Sequence, residues 1–370
     1  MSSAKISNRD DWVSVFRAWQ RELNLDERFT RDFMPVAKYG EMKTEEIEFG
    51  DYKGRPKWRN ARQVPDQRIR DSILAMITFQ GDTEFASVEQ QRQLLETAPS
   101  DADLKCLVRI MQEETRHGFQ MTDVLLEHFG DSGKIEAQKL LERRATKNTR
   151  LLTTFNDPIT TWFDLYLFQE LVDRDGKFQL TMLSRSSFAP LARSMGPMLQ
   201  EESFHLMTGH QGLTRVLKAR RVPLRLFQKY LTKWASSAYD LFGTDHSGSA
   251  AWAYVWGVKG RYNEDTAKEA ADKNALNEAA RAAYVAEVQK LVDQLNEQVP
   301  EGEPKLRLPD LKFNRRIGDY AGKSYSVEGV ELSKEAYQKH RREVLPTPGD
   351  EAELRGLMKD HDWVLGAAKA

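Results

Sequence analysis

The sequence predicts an all-α protein built on a four-helix bundle, with extra helices and a mostly irregular C-terminal extension. Three observations point there. Apolar residues recur at spacings of three and four along four long segments, the period of a helix with one buried face. The alternation that a half-buried strand needs is weak everywhere before residue 300. Each of the four segments also interrupts its apolar stripe with a carboxylate, and two of them add a histidine one turn further on.

The elements follow in order. Residues 65–96 open on Pro65-Asp66, a good helix start, and carry Ile73, Ile77, Val88 and Leu95 on one stripe. Residues 102–129 repeat the pattern with Leu107, Ile110, Met121 and Val124, and Gly130 is the expected C-cap. A shorter helix is expected at 133–145. Residues 158–184 carry Ile159, Trp162, Tyr166 and Leu180. Residues 187–218 carry Phe188, Leu191, Met195, Met198 and Val216. Further helices are expected near 10–23, 223–241 and 267–297. After Pro300 the chain turns rich in Pro, Gly and charge, and "YAGKSYSVEGVEL" reads as a hairpin. The expected organisation is one compact domain. Residues 1–64 pack on the bundle, 65–218 form it, 219–300 add accessory helices and 301–370 form the extension.

Composition narrows the function. The 370 residues carry a formal charge of −1, so nothing marks nucleic acid as the main partner. No apolar run approaches the roughly 18–20 residues that span a bilayer. "MSSAKISNRDDW" lacks the apolar core of a signal peptide, so a cytoplasmic location away from the membrane is expected. Cys106 is the single cysteine, which excludes an intrachain disulfide and a CxxC metal site. With seven histidines in the chain, a metal site must lean on carboxylates.

The interruptions carry the chemistry. Continuing Ile73–Ile77 by threes and fours reaches Gln80, Glu84 and Val88. Ile110 leads to Glu114, His117 and Met121. Tyr166 leads to Gln169, Asp173 and Gly176. Met198 leads to Glu202, His205 and Gly209. Residues at i and i+3 share a helix face, so each Glu-x-x-His points both side chains the same way. Four buried, unpaired carboxylates are untenable without cations, and no Lys or Arg occupies these stripe positions. Two divalent ions would neutralise the four charges. One acid from each of two helices, and Glu-x-x-His from each of the other two, is the ligand set of a ferritin-like di-iron or di-manganese bundle. The expected ligands are therefore Glu84, Glu114, His117, Asp173, Glu202 and His205. Glu114 and Glu202, each heading a Glu-x-x-His, are the expected bridges.

A lone Glu-x-x-His is weak, and His117 or His205 alone reads as a core histidine. The order acid, Glu-x-x-His, acid, Glu-x-x-His is stronger. So is the near-equal spacing: 30 residues from Glu84 to Glu114 and 29 from Asp173 to Glu202. Glu113 and Glu201, about 100° off the stripe, are read as surface residues or as partners behind the ligands. Gln80 is a core amide or a group close to the metals, and Gln169 is similar. Arg116 and Arg174 read as salt-bridge partners. Trp162, Tyr166, Met195 and Met198 read as packing. His128, His210, His246, His340 and His361 read as structural or exposed.

The segments "MITFQGDTEFASVEQQRQLLETAPSDADLKCLVRIMQEETRH", "DRDGKFQLTMLSRSSFAPLARSMGPMLQEESFH" and "LPDLKFNRRIGDYAGKSYSVEGVELSKEAY" resemble the oxygenase component of the benzoyl-CoA 2,3-epoxidases. They are similar, more distantly, to the catalytic subunit of the phenylacetyl-CoA epoxidases. The resemblance runs from about residue 65 to 345. It implies the same six residues as iron ligands and places Gln80 where the family has a glutamine close to the metals. With Gln80, the carboxylates Glu84, Glu114 and Glu202 are the expected catalytic groups. The resemblance further implies a non-haem di-iron oxygenase that epoxidises an aryl-CoA thioester such as benzoyl-CoA with O₂. Its electrons would come from NADPH through a separate flavin and iron–sulfur reductase. Gly81, Phe85, Gly176 and Met198 are expected to shape the cavity. Basic residues in "RNARQ" (59–63) or "FNRRIG" (313–318) are candidates to meet the CoA phosphates. The alternative is a ferritin-like di-iron oxidase acting on a non-CoA substrate. Iron storage is disfavoured by the large segments at 219–370.

Overall fold

The computed structural model describes residues 6–25, 36–245, 247–262 and 276–366. Helix α1 (Arg9–Glu22) is capped by Asn8, whose side chain accepts from the Asp11 amide. Its Trp12, Phe16 and Trp19 bury their rings against Phe85 and each other, and Trp12 also meets Phe119. Burying rings of this size stabilises the docking of α1 by roughly 1.5–3 kcal/mol each. The bundle begins with α2 (Gln67–Gln91), capped by Asp66, and continues into a tighter turn at Arg92–Thr97. Leu95 therefore lies beyond the α-helix proper. Helix α3 (Asp101–His128) starts on the Ser100 cap and ends at Phe129. Gly130 follows with φ +54°, a left-handed turn glycine that swings the chain into α4 (Gly130–Glu142), three residues earlier than expected.

The third bundle helix is interrupted. α5 (Trp162–Phe168) passes into a single π turn at Gln169–Asp173 and resumes as α6 (Arg174–Leu183). The fourth, α7 (Ala189–Ala219), contains Pro197, which can donate no amide to the Arg193 carbonyl one turn back. That carbonyl instead accepts from the Gly40 N–H at 2.8 Å, and Arg193 Nε donates back to the Gly40 carbonyl. A sequence-encoded gap in the helix ladder thus anchors the segment before the bundle. Helices α2 and α3 form one hairpin, α5–α6 and α7 form the other, and α3 packs against α7 across the middle.

Accessory helices α8 (Leu224–Leu241), α9 (Gly248–Val255) and α10 (Leu276–Asn296) cover one end. α9 had no sequence forecast. The part of the 267–297 expectation before residue 276, and His246, lie outside the described residues. The extension carries α11 (Lys334–Val344) and α12 (Pro348–Leu357), with irregular chain around them. The expected hairpin reduces to a single bridge, Tyr325–Glu331, closed by a turn. No helix among the described residues is long and apolar enough to cross a membrane.

Candidate metal centre

Helical spacing brings the six expected residues to one place. Glu84 comes from α2, Glu114 and His117 from α3, Asp173 from the end of the π turn, and Glu202 and His205 from α7. All six are buried. Two groups of donor atoms form, each with every atom within 4.8 Å of the others: Glu84, Glu114, His117 and Glu202 in one, Glu114, Asp173 and His205 in the other. Glu114 belongs to both. Glu202 sits between the imidazoles, with Oε1 3.5 Å from His117 Nδ1 and Oε2 3.3 Å from His205 Nδ1. Glu84 Oε2 is 3.3 Å from His117 Nδ1, and Glu114 Oε1 is 3.4 Å from His205 Nδ1.

The electrostatics ask for cations. Burial, then the neighbouring charge of Glu84, pushes Glu114 well above the ordinary carboxylate range. Burial, then Glu202, does the same to Asp173. Burial also opposes charge on Glu84, but the neighbouring His117, with Nδ1 3.3 Å away, outweighs it and holds that carboxyl low. Burial would lower His205, yet the Glu202 charge and the Glu113 hydrogen bond raise it to about 10. Protons are thus recruited to balance negative charge, the task divalent ions would perform.

The donor set fits a dinuclear metal. His117 Nδ1, His205 Nδ1 and Asp173 Oδ2 are buried and without hydrogen-bond partners among the described residues. The opposite ring nitrogens are engaged crosswise. His117 Nε2 lies 2.9 Å from Glu201 Oε2, and His205 Nε2 lies 3.1 Å from Glu113 Oε2. Each carboxylate holds the N–H on Nε2 and leaves the Nδ1 lone pair facing the cluster. So the first glutamate of each doubled pair serves the histidine of the other helix. Sequence reading put Glu113 and Glu201 at the surface or behind the ligands; the doubled Glu was their only signal, and nothing in it specified the crossing. Glu201 also meets Arg116 and, at 3.0 Å, Lys38. Burial opposes its charge, but His117, Arg116 and Lys38 hold it far below the usual range. Glu113 is held low by His205 and Arg109 in the same way.

Gln80 donates its side-chain amide to Glu84 Oε1 and lines a cavity of about 250 Å³ that reaches the cluster. Glu84, Glu114, Asp173 and Glu202 form its inner wall. The apolar Phe155, Val172, Leu183 and Phe242 and the polar Asp175, Gln179, Lys259 and Asn277 line the same cavity. Of the four residues expected to shape it, only Gly176 does. A Cβ on Gly81 would meet Leu140 and Met121, the Phe85 ring lies against Gly118 in the α1 cluster, and Met198 is core. Close in sequence to Glu84, Gly81 and Phe85 are rotated off its helix face.

Other residues singled out by the stripe pattern have structural partners or none. Gln169 is buried with neither side-chain atom hydrogen-bonded among the described residues. Arg174 pairs with Glu170 and Glu287. The Tyr166 hydroxyl donates to Asp103, which Arg215 also clamps, so Tyr166 is a packed, hydrogen-bonded core residue. His210 meets Glu170, and His340 accepts from the Val327 amide. Neither basic candidate stretch lines this cavity. Arg59 pairs with Glu45, Arg315 with Asp240 and Arg316 with Asp157.

Comparison with known proteins agrees in extent with this site. The model of the family described as phenylacetic acid catabolic protein matches residues 43–339. A protein of Aromatoleum evansii named benzoyl-CoA oxygenase component B is 35% identical over 377 residues, covering 87% of this chain and 79% of its own. A 1,2-phenylacetyl-CoA epoxidase subunit of Escherichia coli (strain K12) is 24% identical over 259 residues, covering 70% and 75%. The matched span takes in the whole bundle and all six cluster residues, and the chain belongs to this family of ferritin-like, all-helical catabolic proteins.

Proposed function

We propose that this protein is a non-haem di-iron oxygenase that inserts one oxygen atom from O₂ into the ring of an aryl-CoA thioester such as benzoyl-CoA. The reading is carried by one conjunction: similarity to a benzoyl-CoA oxygenase component across most of the chain, with a buried carboxylate–histidine cluster at the end of a largely apolar cavity.

Glu84, Glu114, His117, Asp173, Glu202 and His205 would hold the two metals, with Glu114 and Glu202 in the central positions. Two iron ions bound there would supply O₂ activation and oxygen transfer, with electrons drawn from NADPH through a separate flavin and iron–sulfur reductase. Glu113 and Glu201 keep the Nε2 protons in place and orient both imidazoles. Gln80 fixes the orientation of the Glu84 carboxylate by donating to it. The apolar residues lining the cavity, Phe155, Val172, Leu183 and Phe242, would offer a flat aromatic ring a surface to pack on.

The test is metal analysis and O₂ uptake on the chemically reduced protein, with and without benzoyl-CoA. Two irons per chain, with uptake strongly accelerated by the thioester and an oxygenated CoA product, are expected. Two irons with O₂ reactivity indifferent to every aryl-CoA would keep the centre and discard the substrate.

A further inference from the structure

The cavity contains a charge that the metal centre does not use. Lys259 is buried, at 9% exposure, and follows α9 on a loop whose backbone is tied to Ala253 and, through Gly260, to Met182. Its ammonium donates to two neutral amide oxygens, Gln179 Oε1 at 2.7 Å and Asn277 Oδ1 at 3.4 Å. No carboxylate among the described residues lies within ion-pair distance of it; Asp175 stands on the far side of Gln179, whose Nε2 donates to Asp175 Oδ1 at 3.1 Å. Burial pushes the amine down to about 8 against the pull of Asp175 and Asp245. An ammonium has three N–H donors, of which two are spent among the described residues, and the third is open to a ligand that accepts from it.

The location is as telling as the charge. Lys259, Gln179 and Asn277 line the same cavity as Glu84, Glu114, Asp173 and Glu202. Gln179 lies in α6, six residues after the Asp173 that closes the π turn, about 9 Å of helical rise. Between them Gly176 also lines the cavity and presents no side chain; a Cβ there would touch nothing within 4 Å. Val172, Phe155 and Phe242 line the same cavity and offer an aromatic ring apolar surface to pack on, and Asp175, tied to Gln179, lines it as well. The next group out from the ring of an aryl thioester is its carbonyl.

We propose that the Lys259 ammonium, held in place by Gln179 and Asn277, binds the acyl carbonyl oxygen of the substrate and so sets how deep the ring sits. This rests on the aryl-CoA reading above. It assigns a substrate-binding role to a lysine that has no counterpart in the metal motif. It also adds a requirement to the substrate class: an acceptor oxygen one atom from the ring.

The experiment uses the metal-loaded full-length protein and calorimetric binding of two ligands. One is benzoyl-CoA; the other is S-benzyl-CoA, the thioether in which a methylene replaces the carbonyl. The wild type is expected to bind the thioester on the order of 10- to 100-fold more tightly. Lys259→Met is expected to bind both with the thioether's affinity, leaving thioether binding itself unchanged. A merely structural role would weaken both ligands equally. Lys259→Gln serves as a second variant with the same expectation should the Met variant fold poorly. Equal binding of the two ligands by the wild type, or a variant that keeps the preference for the thioester, overturns the assignment and leaves the aryl-CoA reading standing. Failure of the wild type to bind either CoA ligand overturns both.

Discussion

Two sets of buried acids on one helix are treated in opposite ways. On one face of α2, Asp82 and Glu89 are almost fully buried and both meet Arg150, at 3.1 and 2.8 Å. Their remaining oxygens accept the Leu151 and Ala145 amides. On another face, Glu84 joins Glu114, Asp173 and Glu202 with no Lys or Arg among them. The first group is closed: every charge has a fixed protein partner, and the arrangement ties α2 to the segment after α4. The second is open, with two imidazole nitrogens and a carboxylate oxygen left without partners among the described residues. Burial of an acid therefore says little by itself. Whether the fold supplies its counter-charge separates a structural clamp from a site that takes an ion.

That contrast can be broken first at its open end. Glu114→Ala removes the one carboxylate shared by both donor groups, and both metals are expected to be lost, with turnover falling by orders of magnitude; metal analysis of the purified variant checks this. Arg150→Met attacks the closed end. It leaves two buried carboxylates unpaired and is expected to cost about 3–5 kcal/mol in denaturant unfolding, while the folded fraction still binds two metals. A variant with normal stability and depleted metal would reverse the assignment of the two regions.

The groups behind the ligands give smaller effects. Glu201→Gln and Glu113→Gln are each expected to lower metal affinity by roughly 10- to 100-fold, measured by chelator competition. Removing the metal should expose the strain of the open group through pH. Glu114 and Asp173 have raised folded-state values, so the metal-free protein binds protons there more tightly than the unfolded chain does. Their stabilising contribution is full below the ordinary carboxylate range and is lost as pH rises toward the folded values. The metal-free protein should therefore melt higher at pH 5.5 than at pH 7.5, and the loaded protein should lack that gain. Gln80→Ala is the mildest change. It removes one partly exposed donor to Glu84, and an effect below about tenfold on metal affinity is expected from chelator competition.

The cluster was legible in sequence because regular helices turn spacing into direction. Three- and four-residue steps on α2, α3 and α7 put Glu84, Glu114, His117, Glu202 and His205 on inward faces, and the matched hairpin lengths put them at one depth. The π turn before Asp173 was not legible. It is one wider turn in the backbone ladder and leaves no mark in composition, although such turns recur at functional sites. The Asp82–Glu89–Arg150 clamp was hidden for another reason: its arginine lies 61 residues from Glu89 in a non-helical connection, where periodicity has nothing to say. The polar side of the cavity lining, Gln179, Lys259 and Asn277, was hidden in the same way. It is assembled from segments that share no pattern, and only packing brings them together.

The hydrogen bond between Gly40 and the carbonyl that Pro197 frees has a consequence for how the centre assembles. The same short segment sends Lys38 to Glu201, its Lys38 amide to Gln120 Oε1, and Tyr39 to Asp123. Glu201 in turn holds His117. Segment 36–40 and the first metal half-site thus share a member, and two equilibria that share a member are reciprocally linked. Ions bound at His117 would change the grip on the segment, and the segment would change the affinity for the ions by the same factor. The Gly40 amide, remote from any candidate ligand in sequence, would then report loading through a change in its hydrogen exchange.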